Sequence, residues 1–136
     1  EIAKELPIIL PIHPRTKQKI HSLKKEAWLN NITILEPLPY LEMLRLEMSA
    51  KVILTDSGGI QKEAFFHEVP CVTLRDETEW VETIEMGWNK IVGADKHKML
   101  NAFKSCEEAI IGTKSFSYGD GNTANKILEI LINEKN

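Results

Sequence analysis

Apolar residues gather in short stretches along the chain that predict strands, at Leu6 to Ile12, Ile32 to Leu35, Lys51 to Thr55, Cys71 to Leu74 and Lys90 to Val92. Between these runs they recur at helical spacing. Ile20, Leu23 and Ala27/Trp28 predict a helix over about 17–28, and further helices are expected over about 40–49, 60–67, 80–86, 96–111 and 124–132. Strands that do not alternate apolar with polar are buried on both faces, and each run here precedes an amphipathic segment. The pattern predicts one doubly wound, Rossmann-like α/β domain over residues 1–136, with a parallel sheet of about five strands. Ligands of such sheets collect beyond the carboxyl ends of the strands, so the unusual residues are sought there.

Composition narrows the partners. The chain has 136 residues, with 17 Lys and Arg against 20 Asp and Glu, a formal charge of −3. A 43% hydrophobic and 27% charged content suits a soluble domain with a core. No apolar run approaches the roughly 20 residues that span a bilayer, so membrane insertion is not expected. No basic stripe with interleaved aromatics appears, and the lysines at 17, 19, 24 and 25 read as the polar face of a helix, which argues against nucleic acid. Two cysteines, Cys71 and Cys106, make no ligand cluster and no disulfide framework, which points to a reducing, cytoplasmic setting. The chain opens on Glu1, directly ahead of a strand, as a piece of something longer would.

The sharpest local feature is Thr55-Asp56-Ser57-Gly58-Gly59-Ile60-Gln61-Lys62-Glu63-Ala64. It leaves a hydrophobic run, turns through two glycines and begins a helix, so unpaired backbone N–H groups and the positive end of the helix dipole face the strand end. A phosphate or diphosphate fits there; equally, Ser57 could simply cap the helix. The spacing is neither a Walker A loop nor the GxGxxG fingerprint, so no nicotinamide cofactor is indicated. Glu63, further along the helix, would reach sugar hydroxyls of a nucleotide whose phosphates sit at the helix start, or remain a solvated helix residue.

Other candidates also follow strands. Leu74-Arg75-Asp76-Glu77-Thr78-Glu79-Trp80 offers Arg75 and Glu79 to a sugar, or forms a charged loop in which Thr78 caps a helix and Trp80 packs. His13 and Arg15 sit at the end of the first run, where imidazole and guanidinium could serve a phosphate or leaving group. His21, His67 and His97 have no ligand spacing, so no metal site is assigned, and His67 is expected to end its helix. Tyr118 to Asn122 reads as a connector, with Asn122 or Thr123 capping the last helix. No nucleophile, base and orienter stand together in a self-sufficient set.

Three segments carry a resemblance: TDSGGIQKEA at 55–64, VPCVTLRDETEWVET at 69–83 and SYGDGNTANKI at 117–127. Together, and with PIHP at 11–14, they resemble the C-terminal domain of the non-hydrolysing UDP-N-acetylglucosamine 2-epimerase family. Members resemble two-Rossmann-domain glycosyltransferases of the B type, with the active site between the domains. The resemblance implies that this chain is the nucleotide-binding half and lacks the N-terminal domain. It places Ser57 and Gly58 on the diphosphate, Glu63 on the ribose hydroxyls and the backbone near Met43 on the uracil. His13, Arg15, Arg75 and Glu79 would lie about the cleft, while the family's catalytic histidine and acid/base carboxylates would lie outside this chain.

The implied chemistry inverts C2 of UDP-N-acetylglucosamine without a cofactor, by elimination of UDP to a glycal and its re-addition. Its partners are then a UDP-sugar, the absent domain and a second copy of the chain as a homodimer; the fragment alone would bind without turnover. Two departures leave the sugar open: Trp80-Val81 stands where many members have an arginine-proline pair, and Lys62 replaces a common glutamate. The DETEWVET form resembles the branch that epimerises UDP-2,3-diacetamido-2,3-dideoxyglucuronate. A UDP-sugar-dependent glycosyltransferase and a non-catalytic nucleotide-sugar-binding module are the readings from other classes.

Overall fold

The structure, a computed structural model, describes residues 1–108, 118–119 and 121–133. Its elements alternate as the hydrophobic runs predict: β1 (Ile8–Pro11), α1 (Pro14–Ser22), β2 (Ile32–Leu35), α2 (Tyr40–Met48), β3 (Ile53–Thr55), α3 (Gly58–Phe66), β4 (Cys71–Thr73), α4 (Val81–Glu85), β5 (Asn89–Ile91), α5 (Lys96–Glu108) and α6 (Thr123–Asn133). All three strand pairings described are parallel, which makes this an α/β chain.

The single sheet of about five strands is not what forms. Two ladders are present, β1–β2 and β3–β4–β5. Successive residues of a parallel strand turn their N–H groups to opposite neighbours. Ile12 N–H goes to Leu35 C=O at 2.9 Å, so Pro7 and Pro11 belong to the other side, and neither has an N–H to offer. That edge of β1 is therefore poor in donors.

Helix ends differ from the periodicity for local reasons. α1 begins at Pro14, three residues before the pattern, because His13 caps it and proline suits the first turn. It stops at Ser22, since Lys24 has φ of 53°, and a short 3-10 turn over Glu26–Leu29 carries Trp28 instead. α3 starts at Gly58 rather than at Ile60 and is closed by His67, as expected. The predicted end of the 96–111 helix, beyond Glu108, lies outside the described residues, as do Ser117 and Asp120 of the third motif.

The core sits on the three-stranded ladder. Val72, Val92, Ala102 and Cys106 are buried together, with Val52, Leu54, Leu74 and Met99 against them, so α5 covers one face. Phe65 of α3 meets Trp88 edge to face at 6.2 Å elsewhere in the interior. A side chain such as Val72, with no exposed surface, contributes on the order of 2 kcal/mol through burial. Both cysteine thiols are free, and burial pushes that of Cys71 up to about 12.

Candidate functional site

β3 delivers the chain to the Thr55–Gly59 turn. Thr55 is buried, and its Oγ1 accepts from Ser57 N–H at 3.0 Å, which fixes the turn before the helix begins. Ser57 then caps α3, its Oγ accepting from Ile60 N–H at 3.5 Å. The first intrahelical bond runs from Gln61 N–H to Ser57 C=O at 3.2 Å. Helix geometry thus leaves the Gly58 and Gly59 N–H groups without an intrahelical acceptor, at the positive end of the dipole.

A side chain at Gly58 would have to displace Glu79. A Cβ there would collide with Glu79 Oε1, lie 3.2 Å from Glu79 Cδ and meet Trp80 Nε1 at 3.4 Å. Trp80 Nε1–H donates to the Gly58 carbonyl at 2.8 Å, which clamps the 75–80 loop to the start of α3. Glu79 is held in turn by Arg75, at 3.2 Å. A carboxylate, with a guanidinium behind it, already stands against the first turn of the helix.

A buried polar network supports this corner. Asn89 accepts from Thr73 Oγ1 at 2.7 Å and donates to Gln61 Oε1 and to Thr83 Oγ1, each at 3.2 Å. Thr78 Oγ1–H reaches the same Gln61 oxygen at 2.6 Å and accepts from Trp80 N–H at 3.1 Å. Trp80, not Thr78, is the residue that flanks α4, with no side-chain cap bond. The network ties β4, β5, α3 and α4 to the turn that presents Ser57. Gln61 Nε2 alone among its polar atoms is buried without a partner.

One helical turn from Gly58, the Lys62 ammonium lies 4.5 Å from the centre of the Trp80 ring, 4.9 Å from Tyr118 and 5.9 Å from Phe66. Tyr118 is more than a connector residue. Its ring packs on Phe65 at 5.3 Å, and its hydroxyl donates to Glu82 at 3.1 Å. Burial, then the bond to Glu82 and that group's charge, raise the phenol to about 12.

Between α2 and α3 lies a second cluster, not read from the sequence. Glu47 is only 3% exposed, and neither of its carboxylate oxygens has a hydrogen-bond partner. His67 Nε2, also buried and without a hydrogen bond, is 4.0 Å from Glu47 Oε2. Burial, with the Glu63 charge added, pushes the Glu47 carboxyl up to about 7. The signal was present in α2, where Glu47 falls four residues after Met43 and so shares its half-buried face.

The predicted residues are distributed along the carboxyl ends of the strands: His13 and Arg15 after β1, Met43 beyond β2, Ser57, Gly58 and Glu63 after β3, and Arg75 and Glu79 after β4. The structure joins Gly58, Glu79, Arg75 and Trp80 directly. His13 and Arg15 meet each other instead, His13 Nδ1 accepting from Arg15 N–H at 3.2 Å, and both are exposed. Accepting that bond makes the Nδ1 of His13 a helix cap. At the opposite end of β1 and β2 a cavity of about 310 Å³ opens among Glu1, Lys4, Trp28 and Asn30, away from these residues.

Parallel strands whose carboxyl edge carries a glycine-led helix N-terminus define a Rossmann-like α/β domain. The chain belongs to the UDP-N-acetylglucosamine 2-epimerase family, whose model matches residues 1–132. It is 48% identical over 129 residues to a UDP-N-acetylglucosamine 2-epimerase homolog of Methanococcus maripaludis, covering 93% of this chain and 36% of that protein. To the UDP-2,3-diacetamido-2,3-dideoxy-D-glucuronate 2-epimerase of Pseudomonas aeruginosa it is 40% identical over 125 residues, covering 92% and 34%. The UDP-GlcNAc 2-epimerase of Methanocaldococcus jannaschii in complex with UDP-GlcNAc and UDP superposes with a TM-score of 0.83 at 41% identity, over 95% of this chain and 36% of that one. The chain thus spans about a third of the length of these relatives.

Proposed function

We propose that this chain is the UDP-binding part of a UDP-N-acetylglucosamine 2-epimerase, and that a further domain supplies the groups that move the C2 proton. The observation that carries the reading is the Thr55–Glu63 turn and helix, in a chain that matches the family over residues 1–132. At that turn the Gly58 and Gly59 N–H groups and the Ser57 hydroxyl bind the diphosphate. Glu63 takes the ribose hydroxyls, and the backbone near Met43 meets the uracil.

The reaction breaks the C1–O bond of the sugar as the C2 proton leaves, and UDP then adds back to the glycal after protonation on the other face. Charge collects on the departing diphosphate, and preorganised N–H donors at a helix start stabilise it without reorganising. Arg75, now paired with Glu79 at 3.2 Å, adds a cation once Glu79 gives way to the phosphate. Neither role needs a metal or a cofactor. The setting proposed is the cytoplasm, with the partner domain, and a homodimer, completing the enzyme; no helix among the described residues is long and apolar enough to cross a membrane.

Titration of this chain with UDP, followed by amide NMR, is expected to shift Ser57 to Glu63 and Met43 first. A folded chain whose spectrum ignores UDP overturns the site. Incubation of the full-length protein with UDP-N-acetylglucosamine in deuterated water is expected to place deuterium at C2. Transfer of the sugar to an added acceptor would instead identify a glycosyltransferase, and binding without exchange a sensor. The Pseudomonas relative and the Lys62–Trp80 contact favour one second reading, a UDP-linked diacetamido uronate as substrate. Comparison of kcat/KM for the two sugars decides between them.

A further inference from the structure

Glu47 and His67 stand directly behind the residues assigned to the nucleoside. Glu47 is four residues beyond Met43 in α2, and His67 is four beyond Glu63, its N–H closing the last turn of α3 on the Glu63 carbonyl at 2.9 Å. Residues so spaced lie one turn apart on the same helix face. The contact between Glu47 and His67 therefore sits one turn below the gap between Met43 and Glu63, where α2 packs on α3. A carboxylate with two buried oxygens and no donor is unstable unless it holds a proton or faces a cation. The buried imidazole nitrogen 4.0 Å away is the group able to supply either.

We propose that Glu47 and His67 hold one proton between them and act as a positioning pair, fixing the distance between α2 and α3 and hence the gap between Met43 and Glu63 that receives a nucleoside. The proposal rests on the nucleotide reading for its ligand, though not for the proton. With the proton present, as neutral acid and imidazole or as carboxylate and imidazolium, the pair carries no net charge and the helices close. Once the proton is lost, an ionised Glu47 faces the Glu63 carboxylate across the same interface. Among the described residues, Glu63 on α3 and His67, which caps its C-terminus, are the titratable groups set against Glu47. Like charges at such a contact separate the helices and draw Glu63 away from the ribose.

The test needs two measurements on this chain. Amide NMR across about pH 5.5 to 8.5 without ligand is expected to show one shared inflection at Met43, Glu63 and His67, absent in Glu47→Gln, which keeps the shape and removes the ionisation. UDP-N-acetylglucosamine, whose diphosphate has no proton to lose in that range, is then titrated by calorimetry. The wild type is expected to bind about 3-fold or more weaker at the upper pH, and Glu47→Gln to bind almost equally at both. No shared inflection in the wild type, or the same inflection and the same affinity loss in Glu47→Gln, overturns the proposal. A shared inflection with no binding of the sugar nucleotide at either pH supports the proton-sharing pair and overturns the nucleotide reading instead. If Glu47→Gln does not fold, the wild-type inflection decides by its presence or absence.

Discussion

Replacing Gly58 with alanine separates the fold from the site more cleanly than any other single change. The new Cβ meets Glu79 Oε1 at a distance no real contact tolerates, but Glu79 is the flexible end of a half-exposed side chain held by one ion pair. Exposed pairs of that kind are worth about 0.2–1 kcal/mol, so moving Glu79 aside costs no more. Alanine in a helix returns up to about 1 kcal/mol relative to glycine, and less in the first turn. The net change in stability is expected within about 1 kcal/mol, measured by denaturant unfolding. Affinity for UDP should nevertheless fall at least about 10-fold, roughly 1.4 kcal/mol, by calorimetry, because the methyl group fills the space through which a phosphate reaches the backbone N–H groups. Gly59→Ala, whose nearest neighbour is Ser57 Oγ at 3.8 Å, controls for helix propensity and should be as stable as wild type or more so. In Gly58→Ala/Glu79→Ala the clash is gone but the methyl group remains, so binding should stay weak. Wild-type affinity in a folded Gly58→Ala protein would refute the placement of the diphosphate; recovery in the double variant would mean that displaced Glu79, not the methyl group, blocks the ligand.

Stability should fall as pH rises from about 4.5 to about 7, the reverse of the usual carboxylate behaviour: the folded chain keeps the Glu47 proton up to about 7, while the unfolded chain sheds it near 4.5 and so binds fewer protons in that window. The contribution is up to about 3 kcal/mol, smaller to the extent that His67 compensates, and the slope should flatten in Glu47→Gln when unfolding is followed across pH. Asn89→Ala is expected to cost about 2–4 kcal/mol in denaturant unfolding, since the Thr73 hydroxyl loses its acceptor and a cavity forms, whereas Gln61 Oε1 keeps Thr78 and the Thr83 hydroxyl still donates to the Trp80 carbonyl at 2.6 Å.

Local chemistry made much of this chain legible before any contact was known. Short apolar-rich runs marked the five strands, although β1 and β2 each leave one position, Ile9 and Thr33, exposed where β4 is buried throughout. The Ser57-Gly58-Gly59 turn announced a helix start because its conformation and its free N–H groups depend on neighbours in sequence. The three motifs then placed the chain in its family. Tertiary structure decided what lies between distant residues. It brought Trp80 to the Gly58 carbonyl, Tyr118 over Lys62, and the buried amides and hydroxyls of Gln61, Thr78, Thr83 and Asn89 into one network. It also set the described strands in two ladders, β1–β2 and β3–β4–β5, a grouping that the run pattern does not carry. Glu47 shows the boundary: helical spacing gives it an inward face, but only the packing of α2 on α3 gives it His67 and Glu63 as neighbours, and charge in a buried place takes its meaning from what it meets.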